Sequence, residues 1–315
     1  MPFNFHATTL ALGGQLEGAD RKARYISSQA SVSLPTDGGV GESTVQDFEQ
    51  DGISFYRAES RVFGNAFENR IFKTYANTSV YGLNIDDLIQ VDVLSSTVTS
   101  INERVGDCAT ESKISFDVNI VGLVIDGLPI EVELETESFR RNATFGDYIG
   151  SFPKMTEAEV AKYAAAYNWS FNDCKTVTQQ DGLEVTSYHV PAACQNGLRA
   201  SVVCRTTPEL RPGEVRGITR QGFTIEVANF GLIHLGEVLM IPGRRSINLL
   251  RIERGKTLAS LPISRASLPA ADAQPGIHAV AMTGTTAETA SLVSPTGGSV
   301  TVCRTEGNGT DFGSP

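Results

Sequence analysis

Cysteines and histidines are the side chains best suited to nucleophilic or metal chemistry, and their spacing restricts what they can do here. The five cysteines are Cys108, Cys174, Cys194, Cys204 and Cys303, and no two of them form a CxxC pair. Structural zinc sites need such close pairs, so we predict no metal site. Three cysteines lie close together in a loop-rich stretch, which favours disulfides among Cys174, Cys194, Cys204 and Cys303, with buried reduced thiols as the alternative.

The four histidines, His6, His189, His234 and His278, are scattered along the chain. None lies in an HExxH motif or beside a nucleophile motif, and the sequence contains no GxSxG, P-loop or dinucleotide fingerprint. We therefore predict a protein that is not an enzyme and has no cofactor. A hydrolase whose site assembles from distant strands is the lesser alternative.

A ladder of carboxylates follows one predicted strand at every second position: Glu131, Glu133 and Glu135. Side chains at this period share one face of a strand. Such a face would bind Ca²⁺ or a basic partner, or it would simply be the solvated face opposite Val132 and Leu134. The sequence favours the solvated face and leaves the ladder as a possible assembly contact.

Basic residues cluster in only one part of this acidic chain, around Arg244, Arg245 and Arg251. The plainer interpretation is a solvated loop and strand face. The alternative is a contact with an acidic patch on a neighbouring subunit, for which the glutamate ladder is the natural partner. These arginines are therefore possible assembly contacts.

An internal echo places these residues in a β architecture. The segment Gly82–Leu88, GLNIDDL, recurs as Gly122–Leu128, GLVIDGL, and each copy leads into an alternating apolar strand. Asp and Gly in the middle of each copy are turn residues. We expect the two alternating tails to be adjacent strands of one sheet, and the aspartates to shape turns and not to bind metal.

The rest of the chain reads mainly as strands, which predicts a mainly β fold, either an antiparallel β-sandwich or a partly closed barrel. Residues 1–150 and 216–315 would form one discontinuous β domain. Residues 151–215 would be a small insertion carrying three of the five cysteines and one helix, Met155–Tyr167, with a Thr156–Glu159 capping box. We further expect a bulge near Ser95, where the apolar phase changes, and an edge strand at Ser299–Val302.

Charge restricts the partners. The net charge is −10 over 315 residues, which argues against nucleic acid and against docking on an anionic membrane. No apolar run approaches the roughly 18 residues of a membrane span. The first residues lack the basic start and apolar stretch of a secretory signal.

The order of motifs resembles the choice-of-anchor P family of bacterial secreted proteins. The resemblance rests on the long Val/Ser/Thr strand Val91–Ser100, the turn Asp107–Cys108, the strand Gly122–Ile130 and the strand Gly231–Glu237. It implies an exported, surface-associated protein without known catalysis.

These observations predict a non-enzymatic structural protein, extracellular or at the cell surface, that assembles with itself or with neighbouring chains into a homo-oligomer, fibre or surface layer. The alternative is an adhesin module that binds a glycan or a host surface. Its aromatic platform would come from Phe63, Phe67, Phe72 and Trp169.

Overall fold

A computed structural model describes the strands and the turns that join them. The residues it describes are 3–17, 23–68, 70–105, 108–109, 112–134, 136, 144–151, 156–158, 160, 174–180, 183–188, 198–209, 218–221, 224–241, 244–256, 280–281 and 299–311.

Strands account for most of this part of the chain, as the β-branched, aromatic and alternating sequence requires. One short helix is α1 (Phe145–Ser151). The strands are β1 (Phe3–Glu17), β2 (Ala23–Gln29), β3 (Val32–Ser33), β4 (Gly39–Gln50), β5 (Ile53–Phe67), β6 (Ile71–Ile85), β7 (Ile89–Val105), β8 (Cys108–Ala109), β9 (Lys113–Val121), β10 (Leu123–Ile125), β11 (Leu128–Leu134), β12 (Lys175–Gln180), β13 (Leu183–Tyr188), β14 (Leu198–Ser201), β15 (Val203–Thr207), β16 (Ile218–Gln221), β17 (Thr224–Val227), β18 (Gly231–Ile241), β19 (Arg244–Arg254), β20 (Val280–Ala281) and β21 (Ser299–Asp311).

Two antiparallel sheets pack face to face. Sheet A has the order β16-β17-β18-β19-β21-β1-β2, and sheet B has the order β15-β11-β10-β7-β6-β5-β4. β12 and β13 form a separate hairpin. Neither sheet closes on itself through the described strands, so the predicted mainly β fold is confirmed as sandwich-like sheets and not as a barrel.

The core lies between the sheets and is built from the inward-facing residue of each pleat. One continuous apolar cluster joins Leu12, Leu250 and Val302 of sheet A to Val80 and Leu94 of sheet B. Polar contacts also cross the gap, since the Cys303 Sγ donates to the Thr78 carbonyl at 3.3 Å.

A line of left-handed residues crosses sheet B at one level. Asp47, Gly82 and Gly122 have φ angles of 51°, 64° and 67°. In the register, Tyr56 of β5 lies between Asp47 and Gly82, and Asp92 of β7 lies between Gly82 and Gly122. We call this line the kink row. Elsewhere in these strands every second residue faces inward and is buried. Across the kink row the spacing between successive buried residues is three, as between Val80 and Leu83 and between Val91 and Leu94.

The kink row explains the sequence echo, because Gly82 and Gly122 are the first residues of its two copies. The turn prediction is confirmed: Asp86, Asp87 and Asp126 have positive φ angles. The predicted adjacency of the two tails is wrong. Both tails lie in sheet B, but β10 separates β7 from β11.

The bulge expected near Ser95 is also displaced. The phase change lies at Asp92 and Val93, because Val91 and Leu94 are the buried residues on either side.

Other expectations fall differently. Ser299–Val302 is part of β21, which is a central strand between β19 and β1, so the predicted edge strand is wrong. β14 and β15, inside the predicted insertion, pair with β18 of sheet A and β11 of sheet B. The predicted helix is helical at 157, 158 and 160, and its remainder lies outside the described residues. Within the described part of the chain, no helix is long and apolar enough to cross a membrane.

Candidate interaction surfaces

The glutamate ladder lies on β11. Glu131 and Glu133 are exposed, and they alternate with buried Ile130 and half-buried Val132. The solvated-face interpretation is confirmed for these two residues. Glu135 lies outside the described residues, and an assembly role for the ladder stays a prediction.

The predicted basic surface is not a surface. Arg245 and Arg251 are buried within the chain, so the prediction that they are assembly contacts is wrong. Arg245 lies on the inner face of sheet A and donates to the Ile114 carbonyl of sheet B at 3.0 Å. Arg244 is half-buried and pairs with Glu306 at 2.7 Å. The adjacent arginines point to opposite faces because the strand alternates.

Arg251 is the centre of a buried charge cluster on the face of sheet A that points away from sheet B. Its Nε and Nη2 donate to the two oxygens of Glu237 at 2.7 and 2.8 Å, and its Nη1 donates to Glu253. His234 lies opposite Arg251 in the register, with its Nδ1 2.9 Å from the Thr224 hydroxyl. We call these five residues the Arg251 cluster.

The two glutamates of the Arg251 cluster stabilise the charged form of Arg251. Burial alone would lower the pKa of Arg251, but the charges and hydrogen bonds of Glu237 and Glu253 outweigh it, and the pKa lies above its ordinary value. The fork of the guanidinium matches a carboxylate in two parallel hydrogen bonds, which fixes the geometry. His234 is only 3% exposed. Because a general base must reach its substrate, the buried His234 is poorly placed for that role.

A second network lies on the same face, around Glu306 of β21. Its carboxylate meets His6 at 2.9 Å, Arg244 at 2.7 Å and Arg304 at 3.1 Å. Burial would raise the pKa of Glu306, but hydrogen bonds from His6 and Arg244 and the charges of Arg244 and Arg304 lower it to about 2. We call these four residues the Glu306 cluster.

Neither Cys174 nor Cys303 belongs to either cluster. Cys174 and Cys303 are buried thiols, so the predicted disulfides do not involve these two residues. Cys303 lies in the middle of β21, between the two sheets, where burial raises its pKa to about 12. Cys194 lies outside the described residues. Cys204 is on β15, and its pairing stays a prediction.

Metal binding has no support in the same regions. Among the described side chains, no three His, Cys, Asp or Glu come together in a group that would hold a metal ion.

The face of sheet B that points away from sheet A has the opposite character, since it is open. At the kink row it carries Tyr56, 58% exposed, beside Tyr81, with ring centroids 5.9 Å apart. Tyr81 is in register with Val93, and Val93 with exposed Val121. We call these four residues the tyrosine stripe.

Polar residues surround the tyrosine stripe and pair with one another. Arg57 forms an ion pair with Glu59. Two residues further along β6 and β7, the Ser79 and Ser95 hydroxyls lie 3.0 Å apart. The surface around the stripe therefore offers hydrogen-bonding groups, together with the exposed carboxylates of Asp47 and Asp92.

The aromatic candidates of the sequence separate in the structure. Phe63 is half-buried and Phe67 is exposed. Phe72 is buried, stacked on Phe3 with centroids 4.1 Å apart and covered by Arg104. Trp169 lies outside the described residues. The kink row places Tyr56 and Tyr81 on one face. Their spacing in the sequence does not indicate that the two rings are neighbours.

β4 and β15 are the two end strands of sheet B among the described residues, and β4 pairs with β5. The matching edge of sheet A, β2, is partly covered, because the Gln50 side chain donates to the Tyr25 carbonyl at 3.0 Å. Arg24 of β2 also pairs with Asp51 at 3.2 Å. Among the described residues, no strand pairs with the outer edge of β4.

A family model described as a domain of unknown function, DUF8256, matches residues 3–241. The chain belongs to the DUF8256 family. The DUF8256 match ends with β18, so β19 and β21, which fill the middle of sheet A, lie beyond it. No curated protein and no solved structure matches the chain. The resemblance to the choice-of-anchor P family stays a prediction.

Proposed function

We propose that this DUF8256 chain is a non-enzymatic structural protein of the extracellular space or cell surface, and that it assembles with further copies of itself through the edge of β4. The observation that carries the proposal is the outer edge of a twelve-residue strand, with which no described strand pairs. An open strand edge presents main-chain N–H and C=O groups that another strand satisfies by pairing.

The usable part of this edge is Val40–Gln46, between Gly39, with a φ angle of 113°, and the kink at Asp47. Seven extended residues span about 23 Å, which is enough for a continuous ladder. Glu42 is the single charged residue of this stretch, and Arg61 of β5 neutralises it at 3.0 Å. The stretch therefore lacks the dense charge with which edge strands usually block pairing.

A second copy of β4 fits this edge in antiparallel pairing around a two-fold axis at Ser43. In that register Glu42 faces Thr44 of the other copy, and Val40 faces Gln46. Moving the axis to Glu42 would place two carboxylates directly opposite, which is destabilising. The side-chain pattern thus favours one register, and a two-fold contact of this kind joins two copies of sheet B into one continuous sheet.

The non-enzymatic part of the proposal is supported by the enclosed position of His234 and by the absence of catalytic motifs in the sequence. The extracellular location is supported by the resemblance to secreted surface proteins and by the low share of charged residues, 20%.

Sedimentation velocity over rising protein concentration tests the assembly. The wild-type chain is expected to form dimers or larger species, and a monomer at every concentration would contradict the proposal. Proline is placed at Ser43 and, separately, at Thr44. Because alternate N–H groups point outward in an antiparallel edge, one of these variants removes an outward donor and leaves the β4–β5 ladder intact.

The folded proline variant is expected to stay monomeric, and Val121→Lys, on the opposite side of sheet B, to assemble like the wild type. Circular dichroism and thermal unfolding report which variants fold. If neither proline variant folds, Thr44→Glu provides the test, because its carboxylate would lie directly opposite Glu42 of the other copy at both symmetric positions, which is destabilising. Wild-type assembly by a folded edge variant would overturn the edge as the contact.

A further inference from the structure

The tyrosine stripe has a built platform. Gly82 has a φ angle of 64°, and a Cβ atom added there would lie 2.4 Å from the Cδ1 of Tyr56. The Tyr56 ring therefore lies directly over the backbone of Gly82, in space that any other residue would fill. This seat holds an exposed aromatic ring against the sheet and leaves its outer face open to solvent.

The platform extends across neighbouring strands. The Tyr81 ring lies beside Tyr56 with an interplanar angle of 39°, and Val93 and Val121 continue the apolar surface on β7 and β9. Four strands at about 4.8 Å spacing give the stripe a length of roughly 14 Å. The surface is flat and narrow, because it follows the sheet and is one row of side chains wide.

Electrostatics restrict the ligand. Arg57, the charged residue in register with Tyr81, is already paired with Glu59, and Gln46 faces Arg57 from β4. The surroundings therefore provide donors and acceptors, and the exposed carboxylates of Asp47 and Asp92 in the kink row disfavour an anionic ligand. Four apolar side chains are also far fewer than the roughly 20–30 residues per side of a stable protein interface.

We propose that the tyrosine stripe binds a neutral glycan chain, with the Tyr56 and Tyr81 rings stacked against the apolar faces of successive pyranose rings. A pyranose has one face of C–H groups and a rim of hydroxyls, which matches an apolar row bordered by hydrogen-bonding side chains. Aromatic side chains supply large contact area with a defined geometry. This site is separate from the β4 edge and does not depend on it.

Affinity electrophoresis of the full chain, in native gels containing one neutral polysaccharide each, tests the inference. The probes are a β-1,4-glucan, a β-1,3-glucan, a mannan and a galactan, with alginate as the anionic comparison. At least one neutral polysaccharide is expected to retard the protein. Retardation by none of them, or by alginate alone, would overturn the proposal.

The variants Tyr56→Ala and Tyr81→Ala are each expected to weaken the retardation at least tenfold. Tyr25→Ala is the matched control, because Tyr25 is 70% exposed and lies on sheet A, away from the stripe. An equal loss in Tyr25→Ala, or undiminished binding by Tyr56→Ala, would contradict the assignment. The folded β4 edge variants are expected to keep full retardation, so failure of one proposal is distinguishable from failure of the other.

Discussion

The outer faces of the two sheets carry the same residue types and use them in opposite ways. On sheet A, Arg251 and Glu237 are 4% and 3% exposed in their side chains, and they satisfy each other inside a closed cluster. On sheet B, Arg61 and Glu42 form a pair at 3.0 Å with side chains 59% and 61% exposed. The comparison shows that residue type does not separate a structural charge from a surface charge, whereas burial does.

Burial also decides what each pair contributes. An exposed pair is screened by water and is worth about 0–1 kcal/mol. A buried pair has given up its hydration, so the removal of one partner leaves an uncompensated charge in the interior. The buried pair on sheet A is therefore part of the stability of the fold, whereas the pair on sheet B is exposed and contributes little.

The sharpest test of this contrast replaces Arg251 with methionine, which keeps much of the volume and removes the charge. Arg251→Met leaves Glu237 and Glu253 buried without their cation, and we expect a loss of about 3–5 kcal/mol in the free energy of unfolding. Urea denaturation followed by circular dichroism measures the loss.

Arg61→Met is the matched control on sheet B, with an expected change of less than about 1 kcal/mol. Equal losses in the two variants would break the distinction between the faces.

The pH dependence of stability provides a second test of the difference between the two faces, through the Glu306 cluster. The folded-state pKa of Glu306, about 2, lies below its ordinary value of 4.5. A lowered pKa means that the contribution is complete above pH 4.5 and is lost as the pH falls from there through about 2. The contribution is on the order of 3 kcal/mol.

Stability measured between pH 7 and pH 2 is expected to fall less steeply in Glu306→Gln than in the wild type. Glu131→Gln, on the exposed face of β11, is expected to follow the wild-type curve. A Glu306→Gln curve parallel to that of the wild type would show that this carboxylate is not the acid-sensitive group.

Two glycines give the smallest expected effect. Gly82 and Gly127 both have left-handed φ angles, but a Cβ atom at Gly127 would meet nothing within 4 Å. Gly127→Ala should cost about 1–2 kcal/mol for the backbone conformation alone. Gly82→Ala should cost roughly 1 kcal/mol more, because the Tyr56 ring has to move away.

Thermal unfolding of the two variants measures the difference between the glycines. Equal costs would mean that Gly82 serves the kink alone and does not seat the Tyr56 ring.

Much of the fold follows from simple alternation. The runs along β5, β6, β7 and β9 bury every second residue, and Asp and Gly mark their turns, so a mainly β sandwich is predictable from the sequence. Which strands lie at the edges was not predictable. Ser299–Val302 has the composition of an edge strand, but long-range pairing with β19 and β1 places it in the centre of sheet A.

The candidate surfaces were harder to predict, because they depend on the points where the inward-facing residues of a strand change from odd to even positions. His234 and Glu237 are three residues apart, a spacing that places side chains on opposite faces of a regular strand. The left-handed Gly236, with a φ angle of 60°, lies between them, and the two side chains approach to 3.8 Å. In the same way, Tyr56 and Arg57 are adjacent and both exposed. The pattern in the sequence that indicates such a change is a glycine next to two apolar residues spaced by three in place of two.

The kink row also protects the long strands against slippage. A strand of fifteen residues with regular alternation can slide by two positions against its neighbour and still bury an apolar face. In sheet B, such a slide would move Gly82 out of line with Asp47 and Gly122, and the inward residues on one side of the kink would meet the wrong neighbours. The three left-handed residues therefore fix the register of these very long strands.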